Sequence, residues 1–286
     1  MSNRGLGLVV EPEWLARHLD EPDLRIIDAS WYLPENERDA QAEYEQGHLP
    51  GAIRLDLSTD LADTAAPVRN TVAPPERLAE VFGAAGIGPD HRVVVYDRLG
   101  GFSAGRVWWC LRYAGHECAG LLNGGFTRWV HDRKPITDRI PRPPPAEFAK
   151  PPATRWICDR DTVLRSLGES GAIIVDARSP ERFAGEGPEP ARYKGHIPGA
   201  RNVHYKLNLI GDPPAFREPP ALLELYEEAG VRFDRPVITT CGSGVSASLT
   251  AFVLTWLGHP EVSVYDGAWA EWGNTDGLPI EEGAPA

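Results

Sequence analysis

Short apolar runs alternate with helix-forming stretches along this chain, and the same alternation occurs in both halves. Residues 92–96 and 237–240 are runs of strand length that are rich in β-branched side chains. Each is followed by a longer stretch of helical character, at 107–114 and 246–257. The other predicted elements are strands at 25–29, 119–122, 172–175 and 262–265 and helices at 40–46 and 222–229. This alternation predicts an α/β fold, with a mostly parallel sheet flanked by helices.

The alternation occurs twice because the sequence itself is duplicated. The block GHLPGA at 47–52 returns as GHIPGA at 195–200, and IDA at 27–29 returns as VDA at 175–177, both 148 residues further on. A third block, NGGF at 123–126 with Trp129, returns as DGAW at 266–269 with Trp272. A period of this length is typical of a duplicated domain and not of a solenoid.

Prolines mark the boundary between the two copies. Seven of them lie between residues 134 and 155, a density that no helix tolerates. We therefore predict a first domain at 1–135, a proline-rich linker at 136–155 and a second domain at 156–286.

Composition narrows the classes of function. The net charge of −12 repels nucleic acid and anionic lipid surfaces, and no apolar run has the length of a membrane span. The chain has four cysteines, with no CxxC pair and no spacing to histidine that suits a metal. We expect no metal, no cofactor, no nucleic-acid or membrane partner, and a reducing, cytoplasmic location.

The candidate chemistry lies at Cys241. The predicted strand 237–240 runs directly into this cysteine, then into Gly242, Ser243 and Gly244, and then into the helix. Two glycines let backbone N–H groups turn toward one point, where a helix N-terminus reinforces them, so the loop is suited to an anion such as a thiolate or a persulfide. The alternative is a buried structural cysteine before a tight turn.

With its duplication, its two GHxPGA blocks and this loop, the chain resembles the rhodanese superfamily over essentially its whole length. The loop CGSGVSA at 241–247 is similar to the CGSGVTA loop of the superfamily's 3-mercaptopyruvate sulfurtransferases, with Ser246 in place of threonine. Thiosulfate-using members have a basic pair after the cysteine, which this loop lacks. The resemblance implies two tandem rhodanese-like domains and an enzyme that moves sulfur from 3-mercaptopyruvate through a Cys241 persulfide, releasing pyruvate. The acceptor would be cyanide or a thiol, such as thioredoxin or a small thiol.

The resemblance also implies roles for single residues. Arg182 and Arg192 would bind the substrate carboxylate, although Ala191 departs from the family's spacing before Arg192. Ser243 and His48 would form a proton relay, with Asp39 as a candidate acid. The residues that cradle the persulfide would be Gly242, Ser243, Gly244, Val245 and Ser246. The simpler alternatives are solvated surface arginines and a histidine that braces its turn.

Asp97 stands in the first copy where Cys241 stands in the second. Because a carboxylate cannot accept a sulfane sulfur, we expect the first domain to be non-catalytic.

Three other functions stay open on sequence grounds. A thiosulfate sulfurtransferase would share the fold but is disfavoured by the neutral loop. A phosphatase of the Cys-x5-Arg type would need an arginine where Ala247 stands. A non-enzymatic sulfur-relay or binding module would have no need for the glycine-rich loop at Cys241.

Overall fold

The computed structural model describes residues 5–168 and 171–284. Its contacts divide the chain into two compact units. The first comprises Met1–Asp63, Val72–Ala153 and Ile210–Phe216, and the second comprises Thr64–Thr71, Thr154–Leu209 and Arg217–Ala286.

The first unit is built on a five-stranded parallel sheet. Its elements in chain order are β1 (Val9–Val10), α1 (Pro12–His18), β2 (Leu24–Asp28), α2 (Ala40–Gln46), β3 (Ala52–Arg54), α3 (Pro75–Ala84), β4 (Arg92–Tyr96), α4 (Ala104–Tyr113), β5 (Ala119–Leu122) and α5 (Gly125–His131). The strand order across the sheet is β1-β5-β4-β2-β3.

The second unit repeats this topology. Its helices and strands up to the third sheet strand are β6 (Ile157–Cys158), α6 (Arg160–Arg165), β7 (Ile173–Asp176), α7 (Pro180–Phe183) and β8 (Arg201–Asn202). The chain then forms a separate pair of short strands, β9 (Leu209–Ile210) and β10 (Ala215–Phe216), and the segment Ile210–Phe216 belongs to the first unit. The remaining elements of the second unit are α8 (Pro219–Glu228), β11 (Val237–Thr240), α9 (Val245–Trp256), β12 (Val262–Tyr265) and α10 (Ala268–Trp272). The order β6-β12-β11-β7-β8 is the counterpart, strand for strand, of the first sheet, and all its strands are parallel. The predicted α/β fold with two parallel sheets is confirmed.

The central strands are apolar because helices cover both faces of each sheet. Every residue of β4 and β11 is buried, as expected where neither face of a strand meets water. Large aromatic side chains fill the two cores, with Trp129 in the first unit and Trp269 and Trp272 in the second. The parallel arrangement brings the carboxyl ends of all strands in a sheet to one edge, where ligands bind in open α/β sheets.

The proline-rich stretch lies against the first unit. Residues 138–153 contain no helix or strand, and Ala146 donates its N–H to the carbonyl of Gly83. Phe148 is buried, with its ring 5.4 Å from that of Phe82. Most of the segment predicted as a linker therefore packs as part of this unit.

None of the helices within residues 5–168 and 171–284 combines the length and apolar character needed to cross a bilayer.

Candidate active site

Cys241 follows the last residue of β11 and is 2% exposed. Its thiol is free of any disulfide. Two backbone hydrogen bonds hold the loop at this point. The carbonyl of Cys241 accepts the N–H of Trp269 at 2.9 Å, and the carbonyl of Gly242 accepts the N–H of Ala270 at 3.0 Å. The start of α10 thus holds the loop, and the cysteine lies at the carboxyl edge of the sheet where the sequence predicted it.

The loop turns sharply into α9 through Gly244. This glycine has a φ of +79°, in the left-handed region that side chains disfavour, and it caps the twelve-residue helix. The first N–H groups of a helix have no partner within it and carry its positive end. Ser243 is half-buried in the loop and Ser246 is buried in the first helical turn. The N-terminus of α9 therefore lies directly after the thiol.

The corresponding loop of the first unit contains an anion of its own. Asp97 follows β4 and is fully buried. One carboxylate oxygen accepts the N–H groups of Leu99 and Gly101, each at 2.8 Å. The other accepts the N–H groups of Ser103 and Ala104 at 2.8 and 2.9 Å and the Ser103 hydroxyl at 3.2 Å. A glycine-rich loop in this place can therefore surround a negative charge with backbone donors.

Arg182, at the end of α7, is the cationic group that the structure brings to the Cys241 loop. A Cβ atom added to Gly242 would lie 2.9 Å from Nη2 and 3.3 Å from Nη1 of Arg182, so glycine is what lets the guanidinium approach. Nε and Nη2 bind Glu189, with 2.9 Å as the shortest distance. Among the described residues Nη1 has no hydrogen-bond partner, which leaves it open to a substrate.

A second arginine holds Glu189 in place. Arg178 is 1% exposed and binds Asp176 at 2.7 Å and Glu189 at 3.1 Å. Its guanidinium lies 4.5 Å from the Trp269 ring centre. Burial alone would lower the pKa of Arg178, but the charges of Asp176 and Glu189 outweigh it and raise the pKa. Arg178 is a permanent cation, and through Glu189 it fixes the position of Arg182.

The other predicted carboxylate ligand, Arg192, lies at the surface. Its Nη1 is 2.6 Å from the Asp276 carboxylate, and both side chains are more than half exposed. Its backbone N–H binds the side chain of Asn274. The structure therefore joins Arg182, and not Arg192, to the loop by direct contact.

His48 belongs to the first unit and contacts backbone there. Its Nδ1 lies 2.7 Å from the carbonyl oxygen of Tyr44, its Nε2 lies 3.2 Å from that of Arg139, and its ring stacks on Tyr44. His196 repeats this arrangement, with Nδ1 2.9 Å from the Phe183 carbonyl and its ring stacked on Phe183. The histidine of the duplicated block thus braces its turn in both units.

The candidate acid, Asp39, has a local role in the first unit. It caps α2 by accepting the N–H groups of Gln41 and Ala42.

No group of three or more His, Cys, Asp or Glu side chains within residues 5–168 and 171–284 is arranged to hold a metal ion.

A family model described as "Rhodanese-like domain" matches residues 11–132 and again 159–275. This chain belongs to the rhodanese family. It is 37% identical to the 3-mercaptopyruvate sulfurtransferase of Escherichia coli K12 over 95% of its length and 97% of the relative. It is 36% identical to the thiosulfate sulfurtransferase of Cricetulus griseus, over 92% of its length and 91% of the relative. The crystal structure of SseA from Escherichia coli superposes with a TM-score of 0.84 at 34% identity, covering 92% of this chain and 99% of that one.

The rhodanese-family relatives confirm the predicted enzyme class, a sulfurtransferase. The relatives named for the two donors match this chain almost equally well. The choice between 3-mercaptopyruvate and thiosulfate therefore depends on the site itself.

One residue of this rhodanese-family site was missed by sequence reasoning. Glu189 was assigned no role from the sequence, yet its 3% exposed carboxylate binds both Arg178 and Arg182. The available signal was an acidic residue in a stretch that contains Arg178, Arg182 and Arg192. The signal does not say which arginine it binds, because that depends on the path of the chain after α7.

Proposed function

We propose that this rhodanese-family sulfurtransferase takes sulfur from 3-mercaptopyruvate and passes it to a thiol or to cyanide through a persulfide on Cys241. The Cys241 thiolate attacks the donor sulfur, and the carbon–sulfur bond breaks with its electron pair passing to the carbon fragment. The resulting enolate takes a proton and leaves as pyruvate, while Cys241 carries the added sulfur. An acceptor thiolate then attacks the outer sulfur, and the Cys241 thiolate returns.

The observation that carries this proposal is the position of Cys241 at the mouth of an anion-binding loop. Both the thiolate and the persulfide are anions, and residues Gly242 to Ser246 offer them backbone N–H groups at the start of α9. The five hydrogen bonds that Asp97 accepts in the equivalent loop support this interpretation, because they come from the same kind of strand–loop–helix turn.

Arg182 is the residue best supported as a ligand of the donor carboxylate. Its guanidinium lies beside Gly242 with Nη1 facing away from Glu189, and a guanidinium fork suits a carboxylate. Arg192 would contribute a second contact by leaving Asp276. Since that ion pair is exposed, breaking it costs little.

Ser243 is the loop residue that we propose for passing a proton to the departing enolate. The sequence also predicted His48 for this relay, and that role stays a prediction. The contacts of His48 with Tyr44 and Arg139 support the alternative, in which it braces its block.

The neutral loop favours 3-mercaptopyruvate over thiosulfate. Thiosulfate carries two charges and benefits from cations next to the cysteine, whereas Gly242, Ser243 and Gly244 supply none. Thiosulfate remains the second candidate, supported by the 36% identity to a thiosulfate sulfurtransferase.

We further infer that the physiological acceptor is thioredoxin or a small thiol and that the protein acts in the cytoplasm. The free state of all four cysteines supports a reducing compartment.

The test is pyruvate release from 3-mercaptopyruvate, measured beside sulfur transfer from thiosulfate to cyanide. We expect pyruvate release with a much lower catalytic efficiency for thiosulfate, and complete loss of both activities in Cys241→Ser. The matched control is Cys158→Ser, because burial raises the pKa of the Cys158 thiol to about 12 and leaves it a poor nucleophile. Activity with thiosulfate alone would overturn the choice of donor, and an active Cys241→Ser would overturn the mechanism.

A further inference from the structure

We propose that the second unit carries a second binding site, for a small organic dianion, at the end of its sheet opposite to Cys241. A cavity of about 370 Å³ opens there. Arginines and apolar side chains share its lining, with Arg201, Arg232, Arg235, Leu167, Ile173 and Pro198 among them.

The position of this cavity separates it from the catalytic loop. It is lined by the first residues of β7, which begins at Ile173, and by Arg235, which lies just before β11. Cys241 follows the last residue of β11, and β7 and β11 run parallel. Four strand residues at roughly 3.3 Å each place the two ends about 13 Å apart, so one small ligand cannot occupy both.

Among the described residues, the arginines that line the cavity outnumber the carboxylates beside them. Arg232 is paired with Asp234 at 2.7 Å, and the same carboxylate interacts with the charge of Arg235. Arg235 is held by the carbonyl oxygen of Gly171, which fixes the guanidinium without cancelling its charge. Arg201 is half-buried and has no ion-pair partner within the described residues, and no acidic side chain among them lines the cavity. Three guanidinium groups therefore line the cavity beside one described carboxylate, that of Asp234, in a chain whose net charge is −12.

A close contact fixes the direction of Arg201. A Cβ atom added to Gly230 would lie 3.2 Å from Nε of Arg201, so the guanidinium lies beside the glycine at the start of the loop after α8. Both residues line the cavity. The guanidinium of Arg201 is thus held against the backbone of Gly230 and does not rotate freely at the surface.

The ligand chemistry follows from this lining. Two guanidinium forks suit two carboxylates or one phosphate group, and the apolar side chains of Leu167, Ile173 and Pro198 suit a short carbon body. The volume lies in the range of small-molecule sites. The site therefore fits a dicarboxylate or a phosphate monoester of metabolite size.

The test is calorimetric titration of the full-length protein with succinate, with glycerol 2-phosphate and with butyrate. Butyrate has the four carbons of succinate but one charge. We expect saturable binding of at least one dianion and binding of butyrate weaker by about tenfold or more. Arg201→Gln should weaken dianion binding by about tenfold or more and leave pyruvate release unchanged. Arg182→Gln is the matched control and should leave dianion binding unchanged.

Two results would overturn the proposal. One is the absence of saturable binding for both dianions. The other is a loss of binding in Arg182→Gln but not in Arg201→Gln, which would mean that the ligand occupies the catalytic loop. If Arg201→Gln also lowers the unfolding temperature, the deciding variant is Arg201→Lys. Lysine keeps the charge but lacks the planar fork of the guanidinium, so this variant must still bind the dianion more weakly than the native protein.

Discussion

The loops that follow β4 and β11 occupy the same place in two sheets of the same topology, yet one contains a carboxylate and the other a thiol. In the first unit Asp97 supplies a carboxylate, and its two oxygens accept five hydrogen bonds from the loop and the start of α4. In the proposed mechanism, Cys241 leaves the equivalent loop of the second unit available to the persulfide anion that forms during turnover. The same strand–loop–helix turn would then serve folding where the carboxylate is part of the chain and catalysis where the anion forms only transiently.

The largest effect expected from this comparison is on stability in the first unit. Asp97→Ala removes the acceptor from a set of buried N–H groups, so we expect the free energy of unfolding to fall by about 3–5 kcal/mol. Cys241→Ala, at the same place in the second unit, should cost about 1 kcal/mol, since it removes one small buried side-chain atom. Urea unfolding of both variants measures the contrast. Equal losses would mean that Asp97 is not the structural counterpart described above.

A second comparison concerns two histidines at matching positions after α4 and α9. His116 is fully buried and packs on Phe148, and burial lowers its pKa to about 4. Burial also lowers the pKa of His259, whose Nε2 faces the carbonyl of Arg232 at 3.3 Å.

Both histidines should make stability depend on pH. A histidine with a lowered folded-state pKa binds protons more readily when unfolded, so its contribution is complete above a pH of about 6.5 and is lost as the pH falls toward 4. For His116 the loss amounts to about 3 kcal/mol. Urea unfolding across this range should show a shallower pH dependence in His116→Phe than in the native protein, and a smaller change in His259→Phe. A His116→Phe protein with the native pH dependence would contradict the assignment.

The strands and the nucleophile could be predicted from sequence because their signals are local. β4, β5, β11 and β12 have the predicted bounds, since each is a run of apolar or β-branched residues that ends at a polar or glycine-rich turn. The edge strands β1, β6 and β8 were missed because two residues have no periodicity.

The surroundings of the nucleophile were harder to predict because they depend on distant parts of the chain. The contact of Arg182 with Gly242 joins residues 60 positions apart. The ion pair between Glu189 and Arg178 forms because the segment after α7 folds back, and no local pattern in the sequence predicts that path. The resemblance implied the same role for Arg192 as for Arg182, although Ala191 departs from the family's spacing, and Arg192 points to Asp276 at the surface.

The acidic partners of these two arginines provide a sharper comparison within the second unit. Glu189→Gln releases Arg182 from its side-on ion pair, so we expect KM for 3-mercaptopyruvate to rise about tenfold with a much smaller change in kcat. Asp276→Asn, the matched change at the exposed pair, should alter KM by less than about twofold. Steady-state kinetics of the two variants measure the split. A loss confined to kcat in Glu189→Gln would mean that Glu189 does not act by positioning Arg182.

The smallest effect is expected at Arg192. Arg192→Gln should raise KM for 3-mercaptopyruvate by less than about fivefold, because this exposed arginine must leave Asp276 to reach the donor. Arg182→Gln should raise it by about tenfold or more. The reverse order would show that Arg192 is the main carboxylate ligand.

The central claim, that sulfur is carried on Cys241 and that the first unit is silent, is tested most directly by mass spectrometry. The protein is exposed to 3-mercaptopyruvate without an acceptor, its intact mass is recorded and its cysteine peptides are mapped. We expect the gain of one sulfur atom, on the peptide that contains Cys241, and its loss when a thiol acceptor is added. An unchanged mass, or a sulfur on Cys110, Cys118 or Cys158, would contradict it.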